Sequence, residues 1–287
     1  MQAVDLVTVP YDSGRRGYRM GAGPQALLKG GLVQKLRAAG YDTELVPVES
    51  AGTSTDAVTV AFELAARIAR VVRASRSAGR FPLTISGNCF GTVGALAGVS
   101  GDAPALVWLD AHGDLNTPES SASGFLDGMA AATALGWCHS DRTAALDGFT
   151  KLPEADLLMV GVRDLDPPEA ELVKRSAVRM VGPSELGSLE SALDGFGGRA
   201  VYLHIDLDVL DPEKVGPANT YATANGLSTA DVANLIRALA ARSAIAGMTV
   251  SAYDPAVDTS GAVARAALDL IEQAVGSAHG KPPRLSV

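Results

Sequence analysis

Short apolar runs alternate along this chain with longer stretches in which apolar residues recur every three or four positions. The runs at 6–9, 43–48, 83–86, 105–109, 157–162, 178–181, 200–205 and 247–251 have the length and composition of strands. Between them 24–39, 55–77, a segment after Gly91, 128–136, a segment from Pro167, 228–242 and 261–275 are predicted helices. The stretch 55–77 shows the pattern best, with Val58, Phe62, Ala65, Ile68 and Val72 on one face. Pro24 closes a Gly- and Arg-rich loop over 11–23 as a first-turn helical residue, and Ser228 is a helix cap. Regular alternation of strand and helix predicts an α/β fold with a mainly parallel sheet and helices on both faces. No repeat or interior linker interrupts the pattern, so 1–287 is expected to be one domain, with the tail from Ser277 frayed.

Two of these strands end in chemistry. The apolar run Ala105 to Leu109 stops abruptly at Asp110, His112 and Asp114, which the alternation of an extended chain aims to one side. Three such groups are costly to bury together unless a cation sits among them. The run ending at Ile205 carries Asp206 and Asp208 at the same i, i+2 spacing. Ligands of parallel sheets bind beyond the carboxyl ends of the strands, so the two tips together supply five ligands, enough for two hard divalent cations. Alone, the first tip would be a solvated loop and the second a pair of turn-capping acids; together they favour a metal site.

Composition narrows the partners. A net charge of −8 and a pI near 5.0 argue against nucleic acid and anionic membranes. No apolar run reaches the length of a membrane span, and the start lacks the features of a signal peptide. Cys89 and Cys138 make no disulfide framework, so a cytoplasmic location is expected.

The segments from Asp110 to Pro118 and from Asp206 to Pro212 resemble the two aspartate signatures of the arginase (ureohydrolase) family. Val9-Pro10-Tyr11-Asp12 with Gly21-Ala22-Gly23-Pro24 resembles the family's first loop, Gly161 to Pro167 its middle loop and Tyr253-Asp254-Pro255 its last, so the likeness covers nearly the whole chain. It implies a three-layer αβα fold, a two-manganese centre at the strand ends and hydrolysis of a C–N bond in a guanidine or related linear amidine. A small-molecule substrate and a homo-oligomer, trimer or hexamer, are implied as well. By matching position, Asp110 and Asp206 would bridge the metals, Asp114 would bind one, and His112 with Asp208 the other. Water held by two cations would be the nucleophile, its pKa lowered from 15.7 toward about 7, and Asp114 would relay a proton to the departing amine. Asp166 aligns with the family residue that binds an α-amino group, and Asn116 and Ser123 with groups that bind an α-carboxylate. Without the resemblance, Asp166 reads as a cap ahead of Pro167 and the other two as ordinary loop residues.

Three positions depart from the family. Where it usually reads Gly-Asp-His, supplying a histidine ligand, this chain reads Gly87-Asn88-Cys89. Cys89 is either a soft thiolate ligand, in which case one metal is weakly held or replaced, or a buried inert thiol. Ala252 stands where guanidine-hydrolysing members carry a Glu that pairs with the guanidinium, and Asp127 stands where arginases place a proton-shuttling His. Asp127 is an acid if its pKa is raised and a solvated carboxylate otherwise, the latter slightly favoured. A branch that hydrolyses N-omega-hydroxy-L-arginine is similar in its Cys-containing segment and in the His-Ile-Asp of 204–206. His204 itself lies deeper on its strand and reads as a satisfied core histidine. Two functions follow: a manganese-dependent amidinohydrolase of an arginine-derived amino acid, or an arginase-fold binding protein without turnover.

Overall fold

The computed structural model describes residues 2–52, 54–99 and 104–280. Its strands are β1 (Gln2–Val9), the small hairpin β2 (Tyr11–Asp12) and β3 (Arg15–Arg16), β4 (Tyr41–Pro47), β5 (Phe81–Ser86), β6 (Ala105–Leu109), β7 (Leu157–Val160), β8 (Arg179–Val181), β9 (Ala200–Asp206) and β10 (Ala244–Ser251). The α-helices are α1 (Gly23–Lys29), α2 (Leu32–Ala38), α3 (Ala57–Ser77), α4 (Gly91–Val99), α5 (Ala130–Ala134), α6 (Ser140–Ala144), α7 (Pro167–Arg175), α8 (Leu189–Asp194), α9 (Thr229–Ala240) and α10 (Ala262–Ala278).

Eight strands form one sheet in the order β4-β1-β5-β10-β9-β6-β7-β8, and every neighbouring pair is parallel. Parallel strands need crossovers, and the helices that make them cover both faces. On one face Leu27, Leu36, Leu235, Ile236, Leu270 and Ile271 pack against the odd-numbered residues Val107, Leu109, Leu203 and Ile205. On the other, Phe62, Ile68 and Val93 of α3 and α4 pack against Leu106, Trp108 and Tyr202. The result is the expected three-layer αβα fold.

Period-2 alternation places the site. Trp108 and Tyr202 share the α3/α4 face, and the residues two positions further along, Asp110 and, through His204, Asp206, continue that side at the carboxyl end of the sheet. Because β5, β10, β9 and β6 are neighbours, the segments after them carry Cys89, Ala252, Asp206 and Asp110 to one crevice.

The elements differ from the sequence reading in detail. The expected helix over 24–39 is two helices, because Gly30 and Gly31 interrupt it and Gly31 adopts φ +96°. The loop over 11–23 contains the β2–β3 hairpin, and the helix expected over 128–136 is a 3-10 turn at Asp127–Met129 leading into α5. Helix α10 continues through Ser277 to Ala278 rather than fraying there, and the rest of the tail, 281–287, lies outside the described residues. No helix among the described residues is long and apolar enough to cross a membrane.

Candidate metal centre

Several of the proposed ligands are held by hydrogen bonds at the strand ends. Asp110 Oδ1 accepts the His112 N–H at 2.8 Å and its Oδ2 accepts the Trp108 indole N–H at 2.9 Å. Asp206 Oδ1 accepts the Asp208 N–H at 2.8 Å, so the turn-capping role is real, while Oδ2 faces the Cys89 thiol at 2.9 Å. Asp208 spans between segments: Oδ1 accepts the Ala111 N–H at 3.2 Å and Oδ2 the Asn219 side-chain amide at 3.1 Å. His112 Nδ1 lies 3.4 Å from both Asp110 Oδ1 and Asp208 Oδ2. Asp114 turns back toward the cluster with φ +50°, an uncommon conformation for a non-glycine residue, and is buried.

Burial and mutual repulsion disturb these acids strongly. Desolvation and the Asp208 charge push Asp110 up, and desolvation with the charges of Asp110 and Asp127 pushes Asp114 well up. Asp206 is driven up in the same way by burial, Asp208 and Asp110. Burial opposes protonation of His112, yet its hydrogen bonds to Asp110 and Asp208 outweigh that and push it up to about 12. Burial likewise opposes ionisation of Asp208, but the same imidazolium holds it well below the usual carboxylate range. So many buried carboxylates need positive charge among them. His112 supplies one such charge, while Asp114 Oδ2 is buried with no hydrogen-bond partner. Two donor clusters stand ready: Asp110, His112 and Asp208 in one, Cys89, Asp110 and His204 in the other, the ligand atoms of each lying within 4.8 Å of one another. Oxygen, imidazole and thiol donors at this spacing fit divalent cations.

The cavity over this cluster is about 230 Å³ and is lined by Cys89, His112, Asp114, Asp206 and Asp208 from the floor and by Asn116, Ser123 and Asp166 from the rim. Asn116 is buried and its side-chain amide donates to Asp166 Oδ2 at 2.9 Å, which brings the expected head-group residues together. Asp166 is also the N-cap residue of α7, as its place ahead of Pro167 predicts. Ser123 is exposed, and its hydroxyl accepts the Phe125 N–H at 3.2 Å. Ala252 lines the cavity with φ +61° and offers no charge.

Two expectations are corrected. Asp127 is not a solvated carboxylate: it is 6% exposed, and its oxygens accept the Phe90 N–H at 2.9 Å and the Asn88 side-chain amide at 2.8 Å. Burial outweighs those hydrogen bonds and pushes its pKa up to about 7. Cys89 is buried and its thiol is pushed well up by desolvation and the surrounding carboxylates, but it stands inside the cluster. His204 is only half satisfied, since Nδ1 lies 2.7 Å from the Thr92 hydroxyl whereas Nε2 has no partner. Cys138 is a buried free thiol, with Thr133 Oγ1 at 3.3 Å.

Other residues that matter here carried no sequence signal. Glu169 is buried and accepts the N–H groups of Leu115 and Asp166, both at 2.8 Å, locking the Asp114 loop to α7. Asn219 bridges Asp208 and the Ala252 carbonyl, and Arg163 donates to the Asp208 carbonyl at 2.8 Å. Their partners lie on other elements, so local spacing does not reveal them.

Comparison with known proteins identifies the family and the fold. The family model described as "Arginase family" matches residues 2–276. The chain belongs to the arginase family. Members are hydrolases that act on C–N bonds of linear amidines at a binuclear metal centre. The chain is 32% identical to the arginase of Brevibacillus brevis over 95% of its length and 97% of that protein. It is 31% identical to the N(omega)-hydroxy-L-arginine amidinohydrolase of Streptomyces lavendulae, over 69% of this chain and 70% of that one. The crystal structure of arginase from Bacillus subtilis superposes with a TM-score of 0.87 at 26% identity, covering 96% of this chain and 99% of that one. This arginase-family chain therefore shares the family's frame over nearly its whole length.

Proposed function

We propose that this arginase-family hydrolase cleaves an N-omega-substituted arginine, N-omega-hydroxy-L-arginine being the best candidate, to a substituted urea and an amino acid. The observation that carries the reading is the convergence of His112, Asp114, Asp206 and Asp208 on one cavity, with Asp110 beside His112 and Asp208 and with the Asn116–Asp166 pair at the same cavity. Asp110, His112, Asp114, Asp206, Asp208 and Cys89 would hold two divalent cations, with manganese expected at the oxygen-rich His112 side. The cations would acidify water and polarise the amidine carbon. Asp166 would bind the α-ammonium of the substrate, and Asn116 and Ser123 its α-carboxylate, fixing the distance from head group to amidine.

Proton transfer falls to Asp127 and Asp114. An acid is most effective when its pKa is close to the working pH, and Asp127, pushed up to about 7, meets that condition. Asn88 and the Phe90 N–H orient its carboxyl, and Asp114 can hold a proton beside the departing nitrogen. Ala252 supports the choice of substrate. A planar guanidinium is best matched by a bidentate carboxylate, and none stands at that position. An N-hydroxyguanidine is a weaker base, because the electronegative oxygen withdraws charge, and needs that carboxylate less. The likeness to the Streptomyces lavendulae amidinohydrolase supports the same choice.

The test is product analysis with metal-loaded enzyme. Hydroxyurea from N-omega-hydroxy-L-arginine at a higher kcat/KM than urea from arginine is the expected result. Faster release from arginine, or none from a panel of guanidino amino acids with manganese or cobalt, would overturn the reading.

A further inference from the structure

His204 is fully buried on β9, two residues before Asp206, and its ring stacks on Trp108 of β6 at 3.7 Å between centroids and 24° between planes. Trp108 is its registered partner across the two strands and donates its indole N–H to Asp110. Thr92, near the start of α4, meets Nδ1 at 2.7 Å, which leaves Nε2 as the free position of the ring. That atom has no partner, although a nitrogen of the ring, the Cys89 sulfur and an Asp110 carboxylate oxygen lie within 4.8 Å of one another. A buried polar atom without a partner costs about 1–3 kcal/mol, so a fold that retains one calls for an explanation. Stacking and the Thr92 hydroxyl fix the ring as a supporting partner fixes a ligating histidine.

We propose that His204 Nε2 is a metal ligand, joining Cys89 and Asp110 in a buried thiolate–imidazole–carboxylate site, while His112 and Asp208 serve the second cation and Asp110 is common to both. The inference rests on the metal centre of the proposed function. The imidazole that the family supplies after β5 is then supplied from β9 instead, and Cys89 contributes sulfur beside it. Such a donor set selects zinc or cobalt over manganese, because manganese prefers oxygen and zinc and cobalt accept thiolate. The two positions would differ in preference, a softer ion in the buried site and a harder one beside His112. Thr92 is a positioning residue that holds Nδ1.

The experiment titrates the metal-free full-length protein with cobalt(II), following thiolate-to-cobalt absorption and metal content. The wild-type chain should take two equivalents with a sulfur-derived band. His204→Ser should take one, with cobalt affinity at the sulfur-bearing site weakened about 100-fold or more, and Thr92→Val should weaken it about 10–100-fold. Two equivalents in His204→Ser at wild-type affinity and with an unchanged spectrum would overturn the assignment while leaving the proposed function standing. A wild-type chain that takes up no cobalt, zinc or manganese would overturn both. If His204→Ser does not fold, X-ray absorption of His112→Ala carrying one equivalent of zinc decides. Sulfur and imidazole scattering on the same ion supports His204, and sulfur without imidazole, or no sulfur, overturns it.

Discussion

Asp206 serves a turn and a cluster at once, one oxygen fixing the Asp208 N–H and the other facing Cys89, so its amide cannot replace it. Asp206→Asn should leave less than one metal per chain by elemental analysis and lower turnover by at least about 100-fold. Asp127 lines the same cavity, held by Asn88 and Phe90. Asp127→Asn should retain both metals and KM and lower kcat by about 100-fold, within the range for loss of a general acid; unchanged kcat would remove it from proton transfer. The spacing of Asp110, His112, Asp114, Asp206 and Asp208 was legible because strand alternation is a local property. The burial of Asp127 and the orphaned Nε2 of His204 were not, because each depends on residues at least 37 positions distant, Asn88 and Phe90 for the first and Thr92, Trp108 and Cys89 for the second.

At the scale of elements, the placement of Cys89 and Thr92 depends on how tightly α4 lies on α3. Gly94 allows this: a Cβ there would come 2.5 Å from the Ala65 carbonyl oxygen and 2.7 Å from its Cα, backbone atoms that cannot turn aside. Gly94→Ala should cost about 1–3 kcal/mol in urea unfolding, as overpacking does, and weaken metal binding by displacing the α4 N-terminus. Equal stability and affinity would mean that α4 shifts freely. The long elements α3, α9 and α10 follow their apolar stripes closely, since burial of one face fixes both their type and their extent. The short α6 and α8 escaped notice because one or two turns leave too few positions for a period to register. The break between α1 and α2 was readable in principle, because Gly30-Gly31 marks it.

For the whole molecule, a cation bound at the proposed centre would make stability depend on metal. Its ligands come from segments after β5, β6 and β9, so a bound cation links strands that only the sheet otherwise holds together. At free metal 1,000-fold above the dissociation constant the folded state gains about 4 kcal/mol per site. Chelation should therefore lower the midpoint of thermal unfolding by on the order of 10 °C, read by calorimetry with and without the chelator; no change would mean that no cation is bound. Light scattering should find three or six copies in solution, as the family resemblance implies, and a monomer would contradict that expectation. The sequence by itself determined the alternation of strand and helix, the parallel sheet and the five candidate ligands at its strand ends, because hydrophobic period and i, i+2 spacing act within a few residues of chain. Only the tertiary structure decided that Cys89 lies among them, that Asp127 is buried and that His204 keeps one nitrogen free. Those facts arise where β5, β10, β9 and β6 come side by side, and the order of strands in a sheet is set by packing among elements far apart in the chain.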